Sequence, residues 1–207
     1  MMEKKRHLTN VLSLFDGMSC GQIALGKAGI TYDRYYASEI DKHAVKVAMH
    51  NYPNTVQLGD VTQVRAEDLP QIDLLIGGSP CQGFSFSGKQ LNFSDPRSKL
   101  FFEFVRLVKE CKPKYWMLEN VAMKKEYEDV ISEHLGVSPV VINSSLVSAQ
   151  NRVRLYWTNF PIEQPEDRGI MLSDILEEFE MDGKPLNKAT ILGRRLNDKG
   201  IRQDYDK

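Results

Sequence analysis

The run Ile72-Asp73-Leu74-Leu75-Ile76-Gly77-Gly78-Ser79-Pro80-Cys81-Gln82-Gly83-Phe84-Ser85 constrains the fold more than any other stretch of the chain. An apolar, branched segment bounded by paired glycines reads as a buried strand, and the chain then turns sharply through Gly77, Gly78 and Pro80. Cys81 therefore belongs on a tight loop at the carboxyl end of a strand, the edge where open α/β sheets bind ligands. Pro80 fixes its own φ and confines Ser79 to extended backbone, so the main chain sets the direction of the thiol's approach. Gly83 lets another molecule come close. A free cysteine is most often a small buried hydrophobe, but the Gly-Gly-Ser-Pro-Cys-Gln-Gly setting points to a nucleophile.

Upstream, Asn10–Phe15 reads as a first strand, followed by the glycine-bearing turn Asp16-Gly17-Met18-Ser19-Cys20-Gly21 and a helix with Ile23, Ala24, Leu25 and Ala28 facing inward. Strand, glycine turn and helix amino terminus open a nucleotide-binding βαβ unit, although the same pattern serves ordinary strand–helix connections. With Gly17 and Gly21 alone, the spacing is not GxGxxG, which argues against a pyrophosphate and suits S-adenosylmethionine, a ligand without phosphate. A second strand, Tyr35–Ser38, ends at Glu39-Ile40-Asp41, and Asp41 can cap the next helix through Ala44, Val45 and Ala48. Glu39, an acidic residue at the end of the second strand, is where a ribose diol would be held; otherwise it is a solvated strand end. Val56–Val61 gives a short third strand with a Gly59-Asp60 turn.

Downstream of Cys81, the polar stretch from Phe84 to Ser94 carries aromatics without helical or strand period, and a loop of that length is usually functional. A helix beginning at Asp95-Pro96 presents Leu100, Phe101, Phe104, Val105 and Val108 as one apolar stripe. Lys114–Leu118 is a fifth strand ending in Glu119-Asn120-Val121, which brings a carboxylate to the same sheet edge as Cys81. Val137–Ile142 forms a sixth strand and residues 148–158 lead into a seventh. Period two puts Arg152, Arg154 and Tyr156 on one face of that strand and Val153, Leu155 and Trp157 on the other. Two arginines at that edge can meet a base carbonyl and a phosphate, or form a solvated face.

Pro80-Cys81-Gln82, Phe15-Asp16-Gly17-Met18-Ser19-Cys20-Gly21, Glu119-Asn120-Val121 and Gln150-Asn151-Arg152-Val153-Arg154 together resemble the DNA (cytosine-5)-methyltransferases, in the family's order, across residues 10–159. Ser19 stands where many members have a second glycine. The resemblance implies an α/β, Rossmann-like S-adenosylmethionine-dependent methyltransferase fold, a mostly parallel sheet with helices on both faces. It implies Cys81 as the nucleophile at C6 of a flipped cytosine, Glu119 at N3, and Arg152 and Arg154 as their helpers. It places the cofactor against Phe15, Asp16, Gly17, Ser19, Glu39, Ile40, Asp60, Val61 and Pro80, with Asp60 at the adenine amino group and Val61 against its ring. Asn120 is expected to brace the loop, and the stretch from Phe84 to Phe93 to fill the gap left by the flipped base. Methylation of RNA cytosine, as in a related tRNA-modifying branch, and a non-catalytic, partner-binding remnant are the alternatives.

With three cysteines (Cys20, Cys81, Cys111), no CxxC pair and no zinc pattern, a reducing compartment fits better than a disulfide framework, and no metal is expected. No stretch approaches a membrane span and no signal-like segment follows the charged start, so a cytoplasmic protein without a membrane partner is expected, and the resemblance implies one of bacterial or phage type. A net charge of -1 means that any DNA footprint is local. Residues 1–160 are expected to form the catalytic and cofactor-binding domain. Residues 161–207 read as a linker, a short amphipathic helix over Leu172–Phe179 and a polar tail without strand or helix, the incomplete start of a target recognition region. The family's two closing motifs are not found, which implies a truncated product, a second polypeptide carrying them, or a reduced architecture.

Overall fold

The computed structural model describes residues 6–80, 96–175, 195–196 and 202–203. Cys81, the stretch from Phe84 to Phe93 and most of the polar tail lie outside the described residues. The chain divides into two compact units, Met1–Asp174 and Ile175–Lys207.

In the first unit, β1 (Arg6–Leu14), α1 (Cys20–Lys27), β2 (Ile30–Ser38), α2 (Lys42–Asn51) and β3 (Val56–Gln57) lead to β4 (Leu74–Gly77). Then follow α3 (Pro96–Cys111), β5 (Tyr115–Val121), α4 (Lys125–Leu135), β6 (Val140–Asn143) and β7 (Val153–Thr158). The seven strands form one sheet in the order β3-β2-β1-β4-β5-β7-β6. All neighbours pair in parallel except β7, which runs antiparallel to both β5 and β6. The expected Rossmann-like architecture is therefore present. The order reverses between β1 and β4, and that switch point opens a crevice outside the strand ends.

Alternation along β1 feeds both faces of the sheet. Leu12 and Leu14 enter a core with Leu75, Phe101, Phe104, Trp116, Leu118, Ile131 and Trp157, whereas Val11 joins Leu25, Tyr35, Ala37 and Leu74 beneath α1. Gly77 belongs to this packing, because a Cβ there would lie 2.9 Å from the Phe104 ring. The α3 stripe is as expected at Phe101, Phe104 and Val105, but Leu107, fully buried, was not anticipated.

For α1 the expected inward face is corrected. Gln22 and Leu25 are its buried residues, and Ile23 is 46% exposed. The amide of Gln22 is stabilised inside by hydrogen bonds to side chains, which hydropathy alone does not reveal. β1 and β2 also extend beyond the expected strands, because their polar first halves pair with each other from Arg6↔Ile30 onward. Of the expected Leu172–Phe179 helix, the described part is a 3-10 turn over Leu172–Ile175. In the second unit, β8 (Arg195–Leu196) pairs antiparallel with β9 (Arg202–Gln203), a short hairpin where no strand was expected. Strands of two residues are held by pairing rather than propensity and leave no periodic trace in sequence.

Arg106 of α3 secures the connection between β3 and β4. Its guanidinium bonds the carbonyls of Val61 and Val64 at 3.3 and 3.0 Å and pairs with Glu103 and Glu110, both at 2.8 Å. Arg106→Met, which keeps the stem and removes the donors, should lower stability by roughly 1–2 kcal/mol in urea unfolding. A second expectation concerns acid. Backbone N–H groups of His43 and Ala44 donate to the α2 cap Asp41 and hold its carboxyl below the ordinary value of 3.8. A depressed carboxylate contributes stability above its unfolded pKa that is lost as pH falls through the folded value. Asp41→Ala should therefore narrow its melting-temperature difference from the parent as pH is lowered below 3.8.

Candidate active site at the carboxyl edge of the sheet

Parallel pairing brings the carboxyl ends of β1, β2, β4 and β5 to one edge, and the antiparallel β7 delivers its amino end there. Leu118 pairs with Gly77, so Glu119 stands one residue beyond the pair, beside the β4 turn. A Cβ at Gly78 would lie 3.1 Å from Glu119 Oε2, so glycine is what admits the carboxylate. Next along β5, Asn120 points the other way and is 2% exposed; its Nδ2 donates to the Ser79 carbonyl at 3.4 Å and to Ser79 Oγ at 3.2 Å. Ser79 is itself buried. The β4 turn is thus tied to β5 by side chain as well as ladder. Cys81 follows Ser79 by two residues in sequence.

Arg154 reaches this edge from β7, where it pairs with Val121. Its Nε lies 2.7 Å from Glu119 Oε1, with side chains 16% and 34% exposed respectively. That Nε is buried and meets no acceptor with hydrogen-bond geometry, so the contact acts through charge rather than a directed N–H bond. Tyr156 lies directly across from Glu119 on the same face, and burial, then the Glu119 charge, pushes its phenol above the ordinary range. Arg152 precedes the strand, is exposed, and contributes its backbone N–H to Asn143 Oδ1. Arg154 and Glu119 are therefore brought together, while Arg152 stands outside their contact.

A second feature of the same edge is a cavity of about 130 Å³ between the ends of β1, β2, β3 and β4. Five of the expected cofactor residues line it: Phe15, Glu39, Ile40, Val61 and Pro80. Ser38, Gly59 and Leu100, which sequence reading did not select, complete it. Ser38 ends β2 and Gly59 lies in the turn after β3, both legible as edge positions, whereas Leu100 comes from a helix distant in sequence. Asp60 is exposed and spends Oδ1 on the N–H and hydroxyl of Thr62, both at 2.9 Å. Asp16 and Ser19 are buried beneath the turn, bonded to each other, and offer the cavity no side chain.

Glu39 joins the two halves of the cavity wall. Oε2 accepts the Gly17 N–H at 2.8 Å, and Oε1 accepts those of Ile40 and Asp41 at 2.8 and 2.9 Å. A carboxylate has about four acceptor positions, so three are taken and one on Oε2 is left for a ligand hydroxyl. Among the described residues its lining holds no lysine or arginine, and what is present suits a flat apolar ring with a hydroxylated edge. Among the described residues, no group of three or more His, Cys, Asp or Glu side chains could hold a metal ion.

The sequence profile of the C-5 cytosine-specific DNA methylases matches residues 9–204. This chain belongs to that family. The match reaches well past Thr158, where the legible motifs end. The chain is 38% identical over 159 residues to the orphan methyltransferase M.SPRI of Bacillus phage SPR, covering 70% of this chain and 36% of that protein. To the type II methyltransferase M.NgoBV of Neisseria gonorrhoeae it is 42% identical over 177 residues, covering 75% and 42%. The chain thus spans well under half the length of these curated relatives. A solved candidate DNA modification methyltransferase encoded within an E. coli prophage superposes with a TM-score of 0.61 at 29% identity, covering 72% of this chain and 46% of that one. A variant of Spodoptera frugiperda DNMT2 shares the fold at 22% identity, with a TM-score of 0.59 over 96% of this chain and 61% of that one. Among the described residues, no helix is long and apolar enough to cross a membrane.

Asn120→Ala removes both bonds to Ser79 and should cost about 1–3 kcal/mol in urea unfolding. Asn120→Asp, which replaces the Nδ2 donor with an acceptor facing the Ser79 carbonyl, should cost at least as much.

Proposed function

We propose that this chain carries the catalytic machinery of an enzyme that methylates C5 of cytosine in DNA, with S-adenosylmethionine as methyl donor. The observation that most supports the reading is the meeting of Glu119, Arg154 and Gly78 at one strand edge, beside an apolar cavity with a carboxylate on its rim. The cavity's chemistry fits the cofactor. Phe15, Ile40, Val61 and Pro80 would hold the adenine, and Glu39, with one acceptor position free, would take a ribose hydroxyl. Gly17 would approach with backbone alone, and Asp60 has its second oxygen for the adenine amino group. When bound, S-adenosylmethionine supplies an electrophilic methyl group.

The chain's own residues account for activating the cytosine. The C5 position is too weak a nucleophile, so the Cys81 thiolate adds to C6 and electron density moves into the ring toward N3. Glu119, carrying its proton, donates a hydrogen bond or that proton to N3 as the density builds, with Arg154 holding its carboxyl in place and Arg152 free to reach the base carbonyl or a phosphate. Once C5 carries the methyl group, a base or a water takes the C5 proton, the C5–H electron pair restores the C5–C6 double bond, and the C6–S bond breaks to release the Cys81 thiolate. Because a stacked base cannot be reached, the cytosine is flipped out at a cost of a few kcal/mol, and the stretch from Phe84 to Phe93 takes its place in the duplex. Residues 161–207 are read as the beginning of the region that chooses the DNA sequence.

Labelled S-adenosylmethionine should transfer its methyl group to duplex DNA in preference to single-stranded DNA or tRNA; exclusive transfer to tRNA would replace the DNA reading. With 5-fluorocytosine DNA the parent chain should form a denaturant-resistant adduct. Cys81→Ala should abolish that adduct, and Glu119→Gln should slow its formation by roughly a hundredfold or more. An adduct of undiminished yield in Cys81→Ala would refute the nucleophile.

A further inference from the structure

The turn that fronts the cavity has an unusual backbone. Phe15, Gly17 and Ser19 all have left-handed φ, at 58°, 58° and 63°, and two of the three are not glycine. A bulky residue stays in that region only where its surroundings over-determine it. The support lies underneath. Asp16 is buried, with Oδ1 accepting the Tyr35 hydroxyl at 2.9 Å and Oδ2 accepting the Ser19 hydroxyl. Gln22 continues the network, donating from Nε2 to Ser19 Oγ at 3.1 Å and to Thr55 Oγ1 at 2.9 Å, while Oε1 accepts the Tyr32 hydroxyl at 2.6 Å. Ser19 is fully buried and Tyr35 is 2% exposed.

Gly21 fits the same device. Its φ is not left-handed, yet a Cβ there would lie 2.6 Å from the Tyr35 hydroxyl and 2.6 Å from Ile76 Cδ1. Glycine at this position makes room for the phenol and for Ile76. Burial, together with Asp16, pushes the phenol well above its ordinary range, so it remains a donor throughout the physiological pH range.

We infer that Tyr35 is a positioning residue for the cofactor: through Asp16 its hydroxyl holds the Phe15–Ser19 turn in the left-handed form that aims Phe15 into the cavity and the Gly17 N–H at Glu39. The inference rests on the reading of this cavity as the S-adenosylmethionine site. Tyr35 touches no part of that cavity; it acts from β2, behind the turn.

Two variants of the full chain test it. Tyr35→Phe deletes the hydroxyl, and Gly21→Ala displaces it while favouring the helix. Titration calorimetry with S-adenosylmethionine, at a temperature where near-ultraviolet circular dichroism shows each variant folded, should give a dissociation constant raised roughly tenfold in both. Amide hydrogen exchange should accelerate at Gly17, Met18 and Ser19 in the ligand-free variants while the β4 and β5 amides keep their protection. A purely structural role would lower melting temperature and protection together without this local signature. A folded Tyr35→Phe chain that binds within about twofold of the parent overturns the inference and leaves the cofactor reading standing. A parent chain that binds no S-adenosylmethionine removes the cofactor reading and this inference with it.

Discussion

The ladder between β4 and β5 is the constraint on which the site depends. Leu74↔Tyr115 through Gly77↔Leu118 sets how far each strand has run when it reaches the edge. Side chains alternate along a strand, so slipping this register by one residue would turn Glu119 into the core and expose Asn120. With the observed register, the carboxylate faces Gly78 and Arg154, and the carboxamide drops behind to hold Ser79. One ladder thereby assigns two neighbouring polar residues to different tasks.

Around this frame the edge is stabilised by side chains bonded to main chain. Loops at strand ends leave backbone N–H groups without ladder partners, and unpaired groups there are costly when buried. Glu39 accepts three such N–H groups, Asp41 two and Asp60 one. Asp16 instead satisfies hydroxyls from Ser19 and Tyr35. The acidic residues at this edge therefore serve the structure, whatever else they bind. The reversed β7 brings the partly buried guanidinium of Arg154 to this edge.

Much of this was legible beforehand because it follows from local rules. Strand and turn periodicity located the sheet, Asp41 was readable as a cap, and period two on β7 put Arg154 and Tyr156 opposite Leu155 and Trp157. Hydropathy misled on α1, where Gln22 is buried and Ile23 is exposed. An amide goes inside only if partners await it, and those partners, Ser19, Thr55 and Tyr32, come from three separate elements. Leu100 in the cavity wall and the Arg106 bonds to Val61 and Val64 were hidden for the same reason.

By itself the sequence determined the strand–turn–helix order, the glycine and proline turns that bring polar residues to strand ends, and the motif residues of the methylase family. These are short-range matters of backbone freedom and side-chain period. Tertiary structure alone decided which strand ends adjoin, that Glu119 meets Arg154, and that Asp16 turns inward to Tyr35 and Ser19 to Asp16 and Gln22. Those contacts depend on pairing register and on the space left by neighbours, quantities that no window of adjacent residues contains.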